Sequence, residues 1–302
     1  MNKTKSKFDY GIVPRVILFV ILSSAASTPL RIFVEAVIEG KEEAPAFITV
    51  GFLIYAVAAK LVVGFGYFVL GYKIPIKNTM LRGFAYIMLI FFSSYLPNIL
   101  GMIGGDGTII EDSLSAGIVI VDALSYLLDG LILGLLMKRY NVPNPITPGP
   151  TSKKQFFVSC AINGVLFAVL NFVTDLIFGA IDNSWRLCSI LNVSSERETS
   201  FYIVFTVFMF VAGLLLPLWN RYCLPADASL SDIILYALKT AFIVWLPNVL
   251  IMAFFGTPVL LTLLYGAAYT VMLIICTLAY RKTTPYPKMP ALPESIRTAQ
   301  NS

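Results

Sequence analysis

The chain has no histidine among its 302 residues. That absence excludes Ser-His hydrolases, His-ligated zinc sites and histidine proton relays. Charge is scarce too: 13% of residues are charged, against about a quarter in a soluble domain. The four cysteines, Cys160, Cys188, Cys223 and Cys276, show no Cys-x-x-Cys spacing, so neither a soft-metal site nor a redox disulfide is expected. They suit packing as buried hydrophobes. There is no ATP-binding P-loop, so energy for any transport would come from an ion gradient, a solute gradient or a partner ATPase. No cofactor, resident metal or nucleic-acid partner is expected.

What the chain has in excess is apolar surface: 58% of residues are hydrophobic and the mean hydropathy is +0.81. A membrane-spanning helix needs about 20 mostly apolar residues. Eight stretches qualify, at 12–37, 46–70, 82–103, 115–137, 155–181, 201–219, 232–255 and 258–280. The expected fold class is an all-α integral membrane protein with eight transmembrane helices, and the lipid bilayer is its first partner.

Lysine and arginine alternate between loops, and that alternation sets orientation. Lys3, Lys5 and Lys7 precede the first helix; Lys73 and Lys77 follow the second; Lys138, Arg139, Lys153 and Lys154 follow the fourth; Arg281, Lys282 and Lys288 follow the eighth. The intervening loops hold Glu39, Glu42 and Glu43, and then Asp106, Glu111 and Asp112. Both termini are therefore expected in the cytoplasm, in what reads as a bacterial cytoplasmic membrane. A basic start, an apolar run and Ser24-Ala25-Ala26 also fit a cleavable signal peptide. The apolar pattern continues to Ile38, however, and cleavage would leave the first half one helix short.

The sequence repeats itself. Leu96-Pro97-Asn98 returns as Leu246-Pro247-Asn248, and one offset also aligns Tyr72 with Tyr222, Pro75 with Pro225, Tyr86 with Tyr236, Tyr95 with Trp245 and Met102 with Met252. The offset is 150 residues for the second and third helices and near 143 for the first and fourth, where Lys138 meets Arg281. An even number of helices per copy gives both copies one orientation, a parallel 4+4 repeat about an axis along the membrane normal. The expected organisation is a first four-helix repeat at 1–140, a proline-rich cytoplasmic linker at 141–154, a second repeat at 155–282 and a disordered cytoplasmic tail at 283–302. The outer loop from Asp182 to Ser200 contains an Asn192-Val193-Ser194 glycosylation-type triplet, to which chance occurrence leaves little weight.

Ionisable side chains at membrane depth default to a functional reading. On the fourth helix Asp122, Ser125 and Asp129 fall three, four and seven residues apart, on one face, with Asp129 near mid-membrane and Asp122 about two turns further out. On the second, Lys60 is flanked at four-residue spacing by Ala56 and Gly64, small residues that mark a helix contact. A Lys60–Asp129 pair would relieve the burial of each; its plain alternative role is to lock two helices together. Asn163, Asn171 and Asp175 form a polar stripe on the fifth helix, expected to reach the same site across the interface between repeats. Arg31 and Glu35 are spaced to bridge each other, and shallow enough, like Lys239, to reach water.

Pro97 and Pro247 should bend their helices and free the carbonyls of Ser93 and Ile243, with Asn98 and Asn248 beside them as hinge residues. These bends are duplicated but the charges are not: Lys60 aligns with Phe210, Asp129 with Met272, Asp122 with Tyr265 and Arg31 with Thr174. The expected site is thus asymmetric. Gly130 and Gly134 form a Gly-x-x-x-Gly that permits close helix approach, within the chain or in a homodimer.

Three functions fit. The first is a membrane transporter or flippase for a small or amphipathic solute, with Asp129 or Asp122 as proton or cation site and Lys60 as counter-charge. The second is a non-catalytic assembly, immunity or biogenesis factor that meets a partner membrane protein through its helical surface. The third is an intramembrane aspartyl peptidase. Gly104-Gly105-Asp106-Gly107 is similar to the Gly-x-Gly-Asp signature of that class, but Ile103 stands where the signature needs glycine. Asp122 and Asp129 also lie about 10 Å apart along one helix, too far to share a proton. No enzyme activity is expected.

Overall fold

The computed structural model describes residues 11–33, 46–95, 116–137, 152–191, 193–225, 228–247, 249, 253 and 257–284, without the side chains of 31–33, 46–52 and 116–119. Among the described residues all regular structure is helical. The main helices are α1 (Ile12–Phe33), α2 (Ala46–Tyr67), α3 (Thr79–Ile90), α4 (Ala116–Leu136), α5 (Lys153–Ile181), α6 (Glu198–Cys223), α7 (Leu230–Thr240) and α8 (Val259–Thr283). Five of the described helical segments are long and apolar enough to cross a membrane: Ile12–Leu30, Leu53–Lys73, Lys153–Ile181, Glu198–Cys223 and Val259–Thr283. Thr79–Tyr95 is a shorter apolar helix. The chain is a multi-pass helical membrane protein.

Local chemistry accounts for several ends. Asn78 caps α3, its side chain accepting from the amides of Met80 and Leu81. Ser152 and Gln155 form a capping box that starts α5 at Lys153, two residues before the apolar stretch read from the sequence. Ser229 and Asp232 do the same for α7. In each case hydroxyl or amide oxygens take up amide donors that a helix start leaves unpaired.

Helices α3 and α7 do not run on as regular α-helix. Each passes into a single π-helical turn, Phe91–Tyr95 and Ala241–Trp245, immediately ahead of Pro97 and Pro247. In the second turn the Leu246 amide donates to the Ala241 carbonyl, five residues back. A proline ring clashes with the carbonyl four residues earlier, and a wider turn relieves that crowding. The sequence predicts a bend here but not the widened turn that precedes it. Pro97, Asn98 and Asn248 lie outside the described residues.

Packing follows a regular scheme. Helix α1 lies against α2 and α4, and α3 against α4; α5 lies against α6 and α8, and α7 against α8. Across the middle of the molecule the first π turn meets α6, the second meets α2, and the two turns meet each other. Glycine sets the closest crossings. A Cβ at Gly83 would come within 2.5 Å of the Gly134 nitrogen, and one at Gly134 within 2.5 Å of the Met80 Cα. The Gly130/Gly134 pair therefore packs α4 onto α3 within this chain. Gly213 similarly brings α6 to the backbone of α5, its Cβ position 2.8 Å from the Gly164 Cα. One continuous apolar core spans both groups of helices, and within it Tyr86 meets Tyr67 and Trp219 edge to face.

Candidate functional site

Lys60 and Asp129 come together, their charged atoms 3.7 Å apart and their side chains 17% and 13% exposed. The Gly64 contact puts them there: a Cβ on Gly64 would lie 2.9 Å from Val16, so α2 presents the neighbouring turn to α1 and the bundle interior. Helix α4 supplies the carboxylate from the opposite wall. A charge at the centre of a spanning helix costs about 2.5–3.5 kcal/mol on insertion scales, so the ammonium and carboxylate relieve each other.

Two further members come from α1 and were not singled out from the sequence. The Lys60 ammonium donates to Ser23 Oγ at 2.5 Å and to Ser27 Oγ at 2.8 Å. Ser23, fully buried, donates in turn to Asp129 Oδ1. Ser27 donates to the Ser23 carbonyl at 2.8 Å, which fixes its rotamer and turns its lone pairs to the ammonium. The ammonium thus sits among three oxygens from two helices, a compact charge-assisted network. The signal available in the sequence was the four-residue spacing of Ser23 and Ser27, which bracket the Ser24-Ala25-Ala26 segment compatible with a signal peptide. In the structure α1 runs unbroken through that segment.

A second group lies further along α4. Asp122 accepts from the Tyr95 hydroxyl, so the first π turn is joined to α4. Phe91, Tyr95 and Tyr126 form a three-ring cluster with centroids 4.8 to 5.5 Å apart. The Tyr126 hydroxyl is within electrostatic reach of Tyr55, Asp122 and Asp129. Tyr55 on α2 donates to the carbonyl of Pro247, in the bend that follows α7. Ser125 is half-buried on α4 between the two carboxylates.

The fifth helix does not join this site, contrary to the sequence expectation. Asn171 turns its amide back to the Phe167 carbonyl at 2.8 Å. Asp175 is tied to the segment that follows α5: it accepts from the Leu187 amide at 2.7 Å and from the Tyr202 hydroxyl at 2.5 Å, and lies 3.6 Å from Arg186 Nε. Arg186 continues to Glu198 at 2.8 Å and covers the Tyr202 ring. The physical reason is packing: α5 faces α6 and α8, so its polar stripe meets those helices and the loop between α5 and α6. The network Asp175–Arg186–Glu198 folds that loop over the ends of α5 and α6. Arg31, Glu35, Asn192 and the Gly104–Gly107 motif fall where side chains or backbone are outside the described residues.

The charged cluster lies within α1, α2 and α4, and α2 also meets the segment after α7, through the Tyr55–Pro247 hydrogen bond and through the close approach of Gly66 to Ile243. Among the described residues no group of three or more Cys, Asp or Glu side chains could hold a metal ion. Comparison with protein-family models, with curated proteins and with solved structures returns no match to this chain.

Proposed function

We propose that the chain is a transporter or flippase of the cell membrane, built from two parallel four-helix repeats with both termini in the cytoplasm, and that the Lys60–Asp129 cluster is its working site. Two contacts support the repeat. Lys73 Nζ donates to the carbonyl of Cys223 at 3.1 Å, and Ser94 Oγ to that of Val244 at 2.8 Å. Each joins a residue to its own copy at the 150-residue offset. In a two-fold arrangement residues that touch their own copies lie near the axis, and two such contacts on different elements favour one axis passing by both.

The observation that carries the function is the fate of the cluster in the second copy. The same alignment places Leu166 and Leu170 at the positions of Ser23 and Ser27, Phe210 at that of Lys60 and Met272 at that of Asp129. There Phe210 packs against Gly164 and Met272 is buried in the core. An equivalent bundle is thus assembled from apolar residues, and a well-packed apolar set is commonly as stable as a buried ion pair or more so. A second copy that packs without them favours a role for the charges in handling an ion or solute.

The test is flux through reconstituted protein. Liposomes carry an internal pH dye and a trace of fluorescent phospholipid, and proton entry and lipid exchange are followed separately. Asp129→Asn should abolish whichever flux the native protein supports; flux unchanged by the substitution excludes the assignment. One observation favours the second reading, a non-catalytic membrane partner: the Lys60 ammonium already has its acceptors inside the chain. On that reading the joint replacement Lys60→Phe with Asp129→Met leaves cellular function intact, and a stoichiometric partner co-purifies with both forms.

A further inference from the structure

We infer that Tyr55 is a positioning residue that carries the state of the Lys60–Asp129 cluster to the helix break at Pro247 in the opposite half. The inference rests on the reading of that cluster as the working site and adds how it acts on the rest of the molecule. Tyr55 and Lys60 lie five residues apart on α2, so a shift of α2 that follows a change at the ion pair moves both. The Tyr55 hydroxyl ends on a backbone carbonyl of the bend, where the preceding π turn has already departed from regular helix pairing. Single π turns recur at functional sites, and a hydrogen bond donated to such a turn's flank is placed to bias its backbone.

Two further observations give the link direction. At the position of Tyr55 the second half carries Phe205, buried and without a hydroxyl, so no equivalent bond can run from that residue to the first-half bend. The charges, the serines and the tyrosine are therefore all confined to the first half, while the element they act on belongs to the second. Tyr126, on the same helix as Asp129, packs its ring against Tyr95 and Phe91 of the first π turn.

Hydrogen exchange of the full-length protein in lipid nanodiscs tests the link without a transport assay. Asp129→Asn should raise exchange of the amides at 241–246 and 248–249 by about fivefold, the scale set by one hydrogen bond of ordinary net strength. In the Tyr55→Phe background the same substitution should leave those amides unchanged, and 4-aminophenylalanine at position 55, which restores a donor, should restore the response. If Tyr55→Phe cannot be purified, 4-methoxyphenylalanine, which accepts but cannot donate, takes its place. An equal response with and without the donor overturns the inference, as does a response that 4-aminophenylalanine fails to restore. Loss of flux in Asp129→Asn is read independently, so the link and the site can fail separately.

Discussion

Ser94 donates its hydroxyl to the backbone carbonyl of Val244, the residue 150 positions further along the chain. Both lie in π turns, and both side chains are buried. If this contact marks a two-fold axis, it is a fixed point between the halves. Expressed as two polypeptides divided within 141–151, with cysteines only at positions 94 and 244, the halves should be joined by a short bifunctional thiol reagent. Joining of identical halves to each other would place the contact between chains and reject the axis.

The ion pair predicts a characteristic stability cycle. Asp129→Leu strands the Lys60 ammonium and should destabilise by about 3–5 kcal/mol, the penalty for breaking a buried pair from one side. Adding Lys60→Phe should recover most of that loss. Heating in nanodiscs with a thiol-reactive dye that reports exposure of the buried Cys223 and Cys276 measures both. Additive losses in the double variant would mean that the two residues do not act as a pair.

The α3–α4 crossing should be intolerant of even a methyl group. Alanine at Gly83 or Gly134 would drive a Cβ against backbone atoms 2.5 Å away, and backbone cannot yield as a flexible side chain can. Each substitution should destabilise by about 1–3 kcal/mol, the usual range for overpacking. At Gly266 the nearest atom is a Leu246 methyl carbon at 3.3 Å, so alanine there serves as the mild control. Equal losses at all three positions would discount the crossing.

Just past the end of α5, the exposed Asp182 carboxylate accepts from the Ser184 hydroxyl at 2.8 Å and the Ser184 amide at 2.9 Å. Those bonds, the hydroxyl first, hold its pKa below the usual aspartate value of about 3.9. A lowered folded value means that the contribution is fully present above the ordinary value and is lost as pH falls through the lowered one. The turn at Asn183–Trp185 should therefore loosen only in acid. Emission from Trp185, with Trp219 and Trp245 replaced by phenylalanine, should shift in that window and lose the shift in Asp182→Asn.

Much of the architecture was legible because long apolar windows average over many residues, so the described helices fall close to the stretches read from the sequence. Lys60 and Asp129 were legible for a related reason: a charge in such a window stands out against its surroundings. Ser23 and Ser27 were not, since a serine in an apolar helix usually bonds to its own preceding turn and carries no signal of a cross-helix partner. Tyr55 was hidden by its apolar ring. Asp175 was conspicuous, but its partners Arg186, Glu198 and Tyr202 depend on how a loop folds back, which no spacing along α5 encodes.

A π turn accommodates one residue more than the α-helical turn it replaces, and one residue corresponds to about 100° of helix rotation. Before its turn, α3 shows Gly83 to α4; within the turn, Ser94 faces the second π turn. The widened turn thus works as a change of phase, letting a single apolar segment serve two neighbours that a straight helix would have to meet on one stripe. Removing one residue from 91–95 would restore a regular helix and swing Ser94 away from Val244, so the length of this segment, as much as its composition, holds the two π turns against each other.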